Sequence, residues 1–138
     1  MPADTTLMAK TIRYDQREDY FGKKRIPGSA LFSHIDTSNP LAFGMESSLH
    51  SLKQDVSSIL PGGGIQVVGS YHNDPSKLLT GGYASKESLK QLSGKCFAGV
   101  MPMGAGKVVF LLDNTQFRMF WRGPSRMIQN AVMLLNQF

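Results

Sequence analysis

Apolar positions change their spacing several times along this chain, and each change marks an element. Ala30-Leu31-Phe32-Ser33-His34-Ile35-Asp36 is a short run of strand formers that stops at Asp36-Thr37-Ser38-Asn39-Pro40, which predicts a strand closed by a turn. Pro40 pushes Asn39 out of helical geometry, and Leu41-Ala42-Phe43-Gly44 follows as an apolar corner. Residues 46–60 fit two readings. Leu49, Leu52, Val56, Ile59 and Leu60 make a helical stripe, while the serines at 47, 48, 51, 57 and 58 weaken a helix and suit two short strands. Pro61-Gly62-Gly63-Gly64 breaks the chain. Ile65–Tyr71 is β-branched and predicts a strand ended by His72-Asn73-Asp74-Pro75. Ser85 reads as the N-cap of a short helix through Leu92, with Lys86, Glu87, Lys90 and Gln91 outward.

The C-terminal third is patterned more clearly. Cys96–Met101 and Lys107–Leu112 predict two strands joined over Pro102–Gly106 as a hairpin. Val108-Val109-Phe110-Leu111-Leu112 is apolar without alternation, the pattern of a strand buried on both faces. From about Ser125 to Gln137, Met127, Ile128, Ala131, Val132, Leu134 and Leu135 recur at helical spacing, with Arg126, Gln129, Asn130 and Gln137 on the other side. A hairpin into a core strand, a loop and a closing helix predict an α/β layered domain. Residues 1–28 are polar, with a helical turn expected near Asp15–Tyr20. Residues 1–12 read as a linker and 13–138 as a single domain.

Bulk composition adds constraints. The 138 residues fit one domain that buries roughly two-thirds of its unfolded surface. Apolar residues at 41% and charged residues at 18% exclude a disordered chain. The net charge of +5 raises nucleic acid as a partner, but the basic residues are dispersed. The densest cluster, Lys23-Lys24-Arg25, is flanked by Asp15, Glu18 and Asp19, so a solvated surface is the expectation and no nucleic-acid partner is assigned. The single Cys96 allows neither an intramolecular disulfide nor a cysteine zinc site and reads as a buried small hydrophobe. No stretch approaches the ~18 apolar residues of a membrane span, and Met1–Thr11 does not read as a signal peptide.

Most catalytic signatures are missing. His34, His50 and His72 lack the short spacing of a helical zinc pair and read as structural or surface residues. Gly104-Ala105-Gly106-Lys107 ends like a phosphate loop, but position 101 is Met, Val108 follows the lysine, and the segment joins two strands, so it reads as a hairpin turn. Neither a Gly-x-Ser-x-Gly elbow nor a Gly-x-Gly-x-x-Gly turn occurs. One loop remains, Asp113-Asn114-Thr115-Gln116-Phe117-Arg118-Met119-Phe120-Trp121-Arg122-Gly123. It leaves the C-terminal end of an apolar strand, where open α/β sheets place ligands. Arg118 and Arg122 can clamp a carboxylate and Trp121 can stack on an apolar group, so Asp113, Asn114, Arg118, Trp121 and Arg122 are the candidate ligand or interface residues. Set against this is a scaffold role, with Asp113 and Asn114 capping the turn, Arg118 in an internal ion pair, and the aromatics anchoring the loop or forming an interface.

At these residues the chain resembles a known family. Ile26-Pro27-Gly28-Ser29-Ala30-Leu31-Phe32 and Asp36-Thr37-Ser38-Asn39-Pro40-Leu41-Ala42-Phe43-Gly44 are similar to the C-terminal region of long bacterial zinc carboxypeptidases of the carboxypeptidase A type. Leu78-Leu79-Thr80-Gly81-Gly82-Tyr83, Gly104–Phe110, Asp113–Trp121 and Asn130-Ala131 extend the likeness in the same order. The resemblance implies a class I glutamine amidotransferase-like, flavodoxin-type domain: three layers, a mainly parallel sheet with helices on both faces, and an antiparallel hairpin. It implies a non-catalytic accessory domain that packs on, stabilises or modulates its own upstream peptidase domain. Zinc and the catalytic glutamate would belong to that domain, no cofactor to this chain, and the parent protein would be exported or periplasmic. The family's His before Pro is Asn39 here, for which a turn role is expected, and Cys96 does not match the amidotransferase nucleophile. Two other readings stand beside this one: a small-molecule or peptide-binding module at the Asp113–Arg122 loop, and a degenerate hydrolase using Asp113 or His72.

Overall fold

The computed structural model describes residues 11–22, 26–117 and 122–137. Helix α1, Tyr14–Gly22, precedes strand β1, Ser29–Ile35. A 3-10 turn, Pro40–Ala42, leads to β2, Ser48–Lys53, and then to β3, Gln66–Tyr71. One helical turn, α2 (Pro75–Leu78), runs directly into β4, Leu79–Gly82. Helix α3 (Lys86–Leu92), strands β5 (Cys96–Met103) and β6 (Gly106–Leu111), helix α4 (Arg122–Met133) and a last 3-10 turn, Leu135–Gln137, complete the chain.

The six strands form one sheet curled into a half-barrel, in the order β2-β1-β3-β5-β6, with β4 pairing along β1 as well. Every pairing among the described strands is antiparallel. The expectation of a three-layer, mainly parallel sandwich is therefore wrong. Parallel neighbours need a crossover of about a dozen or more residues, usually a helix, between adjacent strands. Here the α3 connection joins β4 to β5, and these lie on different neighbours, β1 and β3. Curling comes from register shifts in the β3–β5 pair, after Val67 and again after Gly69. Phe97 closes over Gly69, where an added Cβ would meet its ring at 2.6 Å.

Several local signals act as the residues dictate. Asn39 Oδ1 accepts the Leu41 amide at 3.0 Å and caps the first 3-10 turn, the turn role expected for it. Ser85 caps α3 by accepting the Ser88 amide. The ambiguous 46–60 segment resolves to strand β2 plus an isolated bridge from Ile59 to Cys96. Strand β4, Leu79–Gly82, is not among the strands the sequence pattern predicts; Asp74, whose segment ends β3, also caps the turn of α2 that launches it.

The core gathers Leu31 and Ile35 of β1, Val68 and Tyr71 of β3, Phe97, Ala98 and Val100 of β5, Leu89 and Leu92 of α3, Leu41, and Met127 of α4. The α4 stripe differs from the expected one in two places. Val132 points to solvent, and Asn130 is buried, donating from Nδ2 to the Leu41 and Phe43 carbonyls, each at 2.9 Å. Asn130 thereby clamps the last helix to the 3-10 corner, because those carbonyls need a donor that an apolar residue would not supply. Strand β6 departs further. It lies at the end of the sheet, and Val108 to Leu112 are only half-buried instead of covered on both faces. No helix among the described residues is long and apolar enough to cross a membrane.

Candidate binding site

Asp113 leaves the C-terminal end of β6 and turns inward. Its Oδ1 accepts Lys53 Nζ at 2.9 Å and Tyr71 Oη at 2.6 Å. Both partners are set by strand register. Lys53 ends β2 opposite Ser29, and Tyr71 ends β3 opposite Ser33, so the two side chains share the inner face of the sheet. Lys53 Nζ also reaches the Ser57 carbonyl at 2.5 Å and Asp55 at 3.1 Å, and lies 5.6 Å from the Tyr71 ring centroid. The side chains of Lys53 and Asp113 are each only 1% exposed, so this is a fully desolvated ion pair. Asp113 Oδ2 is buried with no hydrogen-bond partner among the described residues. A carboxylate held this way anchors the loop to β2 and β3.

Burial first, and the Asp113 carboxylate second, keep the Tyr71 phenol protonated far above its ordinary value of 10.0. Burial also pushes up the Cys96 thiol, whose Sγ donates to the Ile59 carbonyl at 3.2 Å. The sign of the linkage follows. The unfolded phenol ionises near pH 10 and the folded one only higher, so the unfolded chain loses its proton first. The Tyr71 contribution is complete below about pH 10 and is lost as pH rises beyond it. We expect denaturant midpoints to fall steeply above about pH 10, and the Tyr71→Phe variant to show a shallower alkaline decline. Equal alkaline slopes in the two proteins would contradict this.

Of the loop residues singled out from the sequence, the described ones, Asp113, Asn114 and Arg122, have different surroundings. Asn114 is exposed, its Oδ1 accepting the Gln116 amide at 3.3 Å and its Nδ2 lying 3.4 Å from Gln54 Oε1. Arg118 and Trp121 lie outside the described residues. Arg122 opens α4 and, with Arg126 one turn on, lines an open groove of about 430 Å³ whose remaining walls include Met45, Glu46, Ser48 and Leu49. Asp113 faces the interior and does not line this groove. Asp113 thus belongs to an internal anchor, and Arg122 lines a groove that Asp113 does not.

Sequence reasoning missed Lys53 and Tyr71 in the anchor, and Glu46 and Arg126 in the groove. No local signal marks Lys53, since a lysine ending a polar stretch reads as a solvated cation. Arg126 is spaced four residues from Arg122, which on a helix puts both on one face.

The three histidines, far apart in sequence, gather around Phe32. Its ring centroid lies 5.3 Å from His34, 5.6 Å from His50 and 5.7 Å from His72, and His34 and His72 are 5.2 Å apart. Register explains this, because His50 stands opposite Phe32 on β2 and the amide of His72 donates to the Phe32 carbonyl on the other side. His72 Nδ1 accepts the Asp74 amide at 3.0 Å, which places this imidazole in a turn. Among the described residues no group of three or more His, Cys, Asp or Glu side chains is arranged to hold a metal ion. Compared with known proteins, the chain matches no protein-family model, no curated protein and no solved structure.

Proposed function

We propose that this chain is a non-catalytic accessory domain of a zinc carboxypeptidase-like protein, and that it works by packing on the peptidase domain of the same polypeptide. The observation that carries this reading is strand β6. It is apolar at every position from Val108 to Leu111, ends the sheet, and has no described strand on its outer edge. Val109 and Leu111 pack on the core, whereas Val108 and Phe110 alternate with them and face the opposite side, half-covered. An edge strand with an apolar outer face is a liability in a free domain and a ready docking surface in an assembled one.

The residues that carry the family likeness support the non-catalytic half of the reading, because their visible work is scaffolding. Asp36 accepts the Ser38 amide, Asn39 caps a turn, Asp113 anchors a loop and Asn130 clamps a helix. Zinc and the hydrolytic residues belong to the partner domain in this account, and an exported location follows from the same likeness. Titrating the chain with the separately expressed peptidase domain, following heat and peptidase activity together, tests it. Saturable binding with a change in peptidase activity or stability is expected, and the Phe110→Lys variant should weaken binding by at least about tenfold. No heat, with a fully active and stable isolated peptidase domain, would overturn the reading.

A further inference from the structure

The groove beside α4 combines three chemistries that the docking reading does not use. Arg122 and Arg126 present guanidinium groups from successive turns of α4, Glu46 presents a carboxylate, and Met45 and Leu49 supply apolar wall. Opposite charges bordering one small cavity ordinarily close on each other. Here, among the described residues, neither arginine makes an ion pair with Glu46 or with any other carboxylate. The Arg126 guanidinium lies beside Gly44, where an added Cβ would come within 2.9 Å of Nη2, and the backbone there has φ +71°, a conformation that glycine adopts freely. Two guanidinium groups and a carboxylate thus border one open space of about 430 Å³, together with a thioether and an isobutyl group. That volume is in the range of small-ligand clefts.

We infer that this groove binds a free apolar α-amino acid as its zwitterion. The carboxylate lies between Arg122 and Arg126, where two guanidinium forks supply charge-assisted hydrogen bonds, with the Ser48 hydroxyl as a further donor. The ammonium group lies against Glu46, and the side chain covers Met45 and Leu49. An inorganic anion would meet only the arginines, and a peptide would lose one of its two terminal charges at this site. The inference rests on the groove alone and is independent of docking through β6.

The test is a calorimetric or NMR titration of the whole chain with L-leucine, N-acetyl-L-leucine, L-leucinamide, glycine and inorganic phosphate. Leucine is expected to bind saturably, with a dissociation constant of about 0.1–1 mM for so small a ligand. Each of the other probes should bind at least about tenfold more weakly, since each lacks the anion, the cation or the apolar group. Arg126→Gln and Glu46→Gln should each weaken leucine by a similar factor. Both positions are solvent-exposed, so unchanged thermal unfolding will separate lost binding from lost folding. Absence of saturable leucine binding overturns the inference. So does equal binding of the acetylated or amidated probe, tighter binding of phosphate, or indifference to both substitutions in a folded variant.

Discussion

Replacing Lys53 with methionine is expected to cost about 3–5 kcal/mol of folding stability, because it strands the Asp113 carboxylate in the interior without its cation. Methionine keeps most of the side-chain volume, so the loss reports charge and hydrogen bonding more than a cavity. Tyr71 Oη would be left as the one described donor to Asp113, too little for a desolvated carboxylate. A second change, Asp113→Asn on the Lys53→Met background, removes the stranded charge and keeps an acceptor for Tyr71. It should recover a large part of the loss, whereas two independent sites would simply add. Urea denaturation of the wild type, both single variants and the double variant measures this cycle. A Lys53→Met cost below about 1 kcal/mol would place the pair among weakly contributing surface contacts and contradict the anchor described for the 113–117 loop.

Gly82→Ala should be nearly as damaging, at about 2–4 kcal/mol, for a different reason. Gly82 ends β4 with φ +84°, in left-handed space. A Cβ there would stand 2.5 Å from the Gly28 carbonyl oxygen and 2.9 Å from Ser29 Cα, both backbone atoms of the paired β1 start. Neither can move without opening the Ser29–Gly82 pairing and the bond from Ser29 Oγ to the Tyr83 carbonyl at 2.6 Å. Gly81 is the control. Its nearest neighbour is Ala30 Cβ at 3.9 Å, so Gly81→Ala should fold nearly normally. Thermal unfolding of the two alanine variants reads the difference, and equal midpoints would refute the steric account.

Elements whose signals are local were legible in the sequence. The Ser85 cap, the β5–β6 hairpin, the β1 and β3 runs and the closing helix fall where their residues place them, within a few positions. Sheet topology was not legible, because antiparallel or parallel pairing depends on which distant strands meet. An apolar run such as Val108–Leu112 reads alike whether helices or another domain cover it. The layered, mainly parallel expectation followed from that run and from the family likeness, and the antiparallel pairings overturn it. The candidate loop was legible only in part. The sequence singles out both Asp113 and Arg122, but their side chains serve different places, one in a buried ion pair and one in an open groove. Asn130 reads as a surface residue and Lys53 carries no sign of burial, because burial of a charge or an amide is decided by partners far away in sequence, Asp113 and the Leu41–Phe43 carbonyls.

The central claim, that β6 is the docking edge of an accessory domain, is tested most directly by amide hydrogen exchange of this chain with and without the peptidase domain. The account predicts that protection rises selectively along Gly106–Leu111 when the peptidase domain is added, and that Phe110→Lys removes the increase. Unchanged exchange along β6 at saturating peptidase domain, or protection confined to other strands, would contradict it.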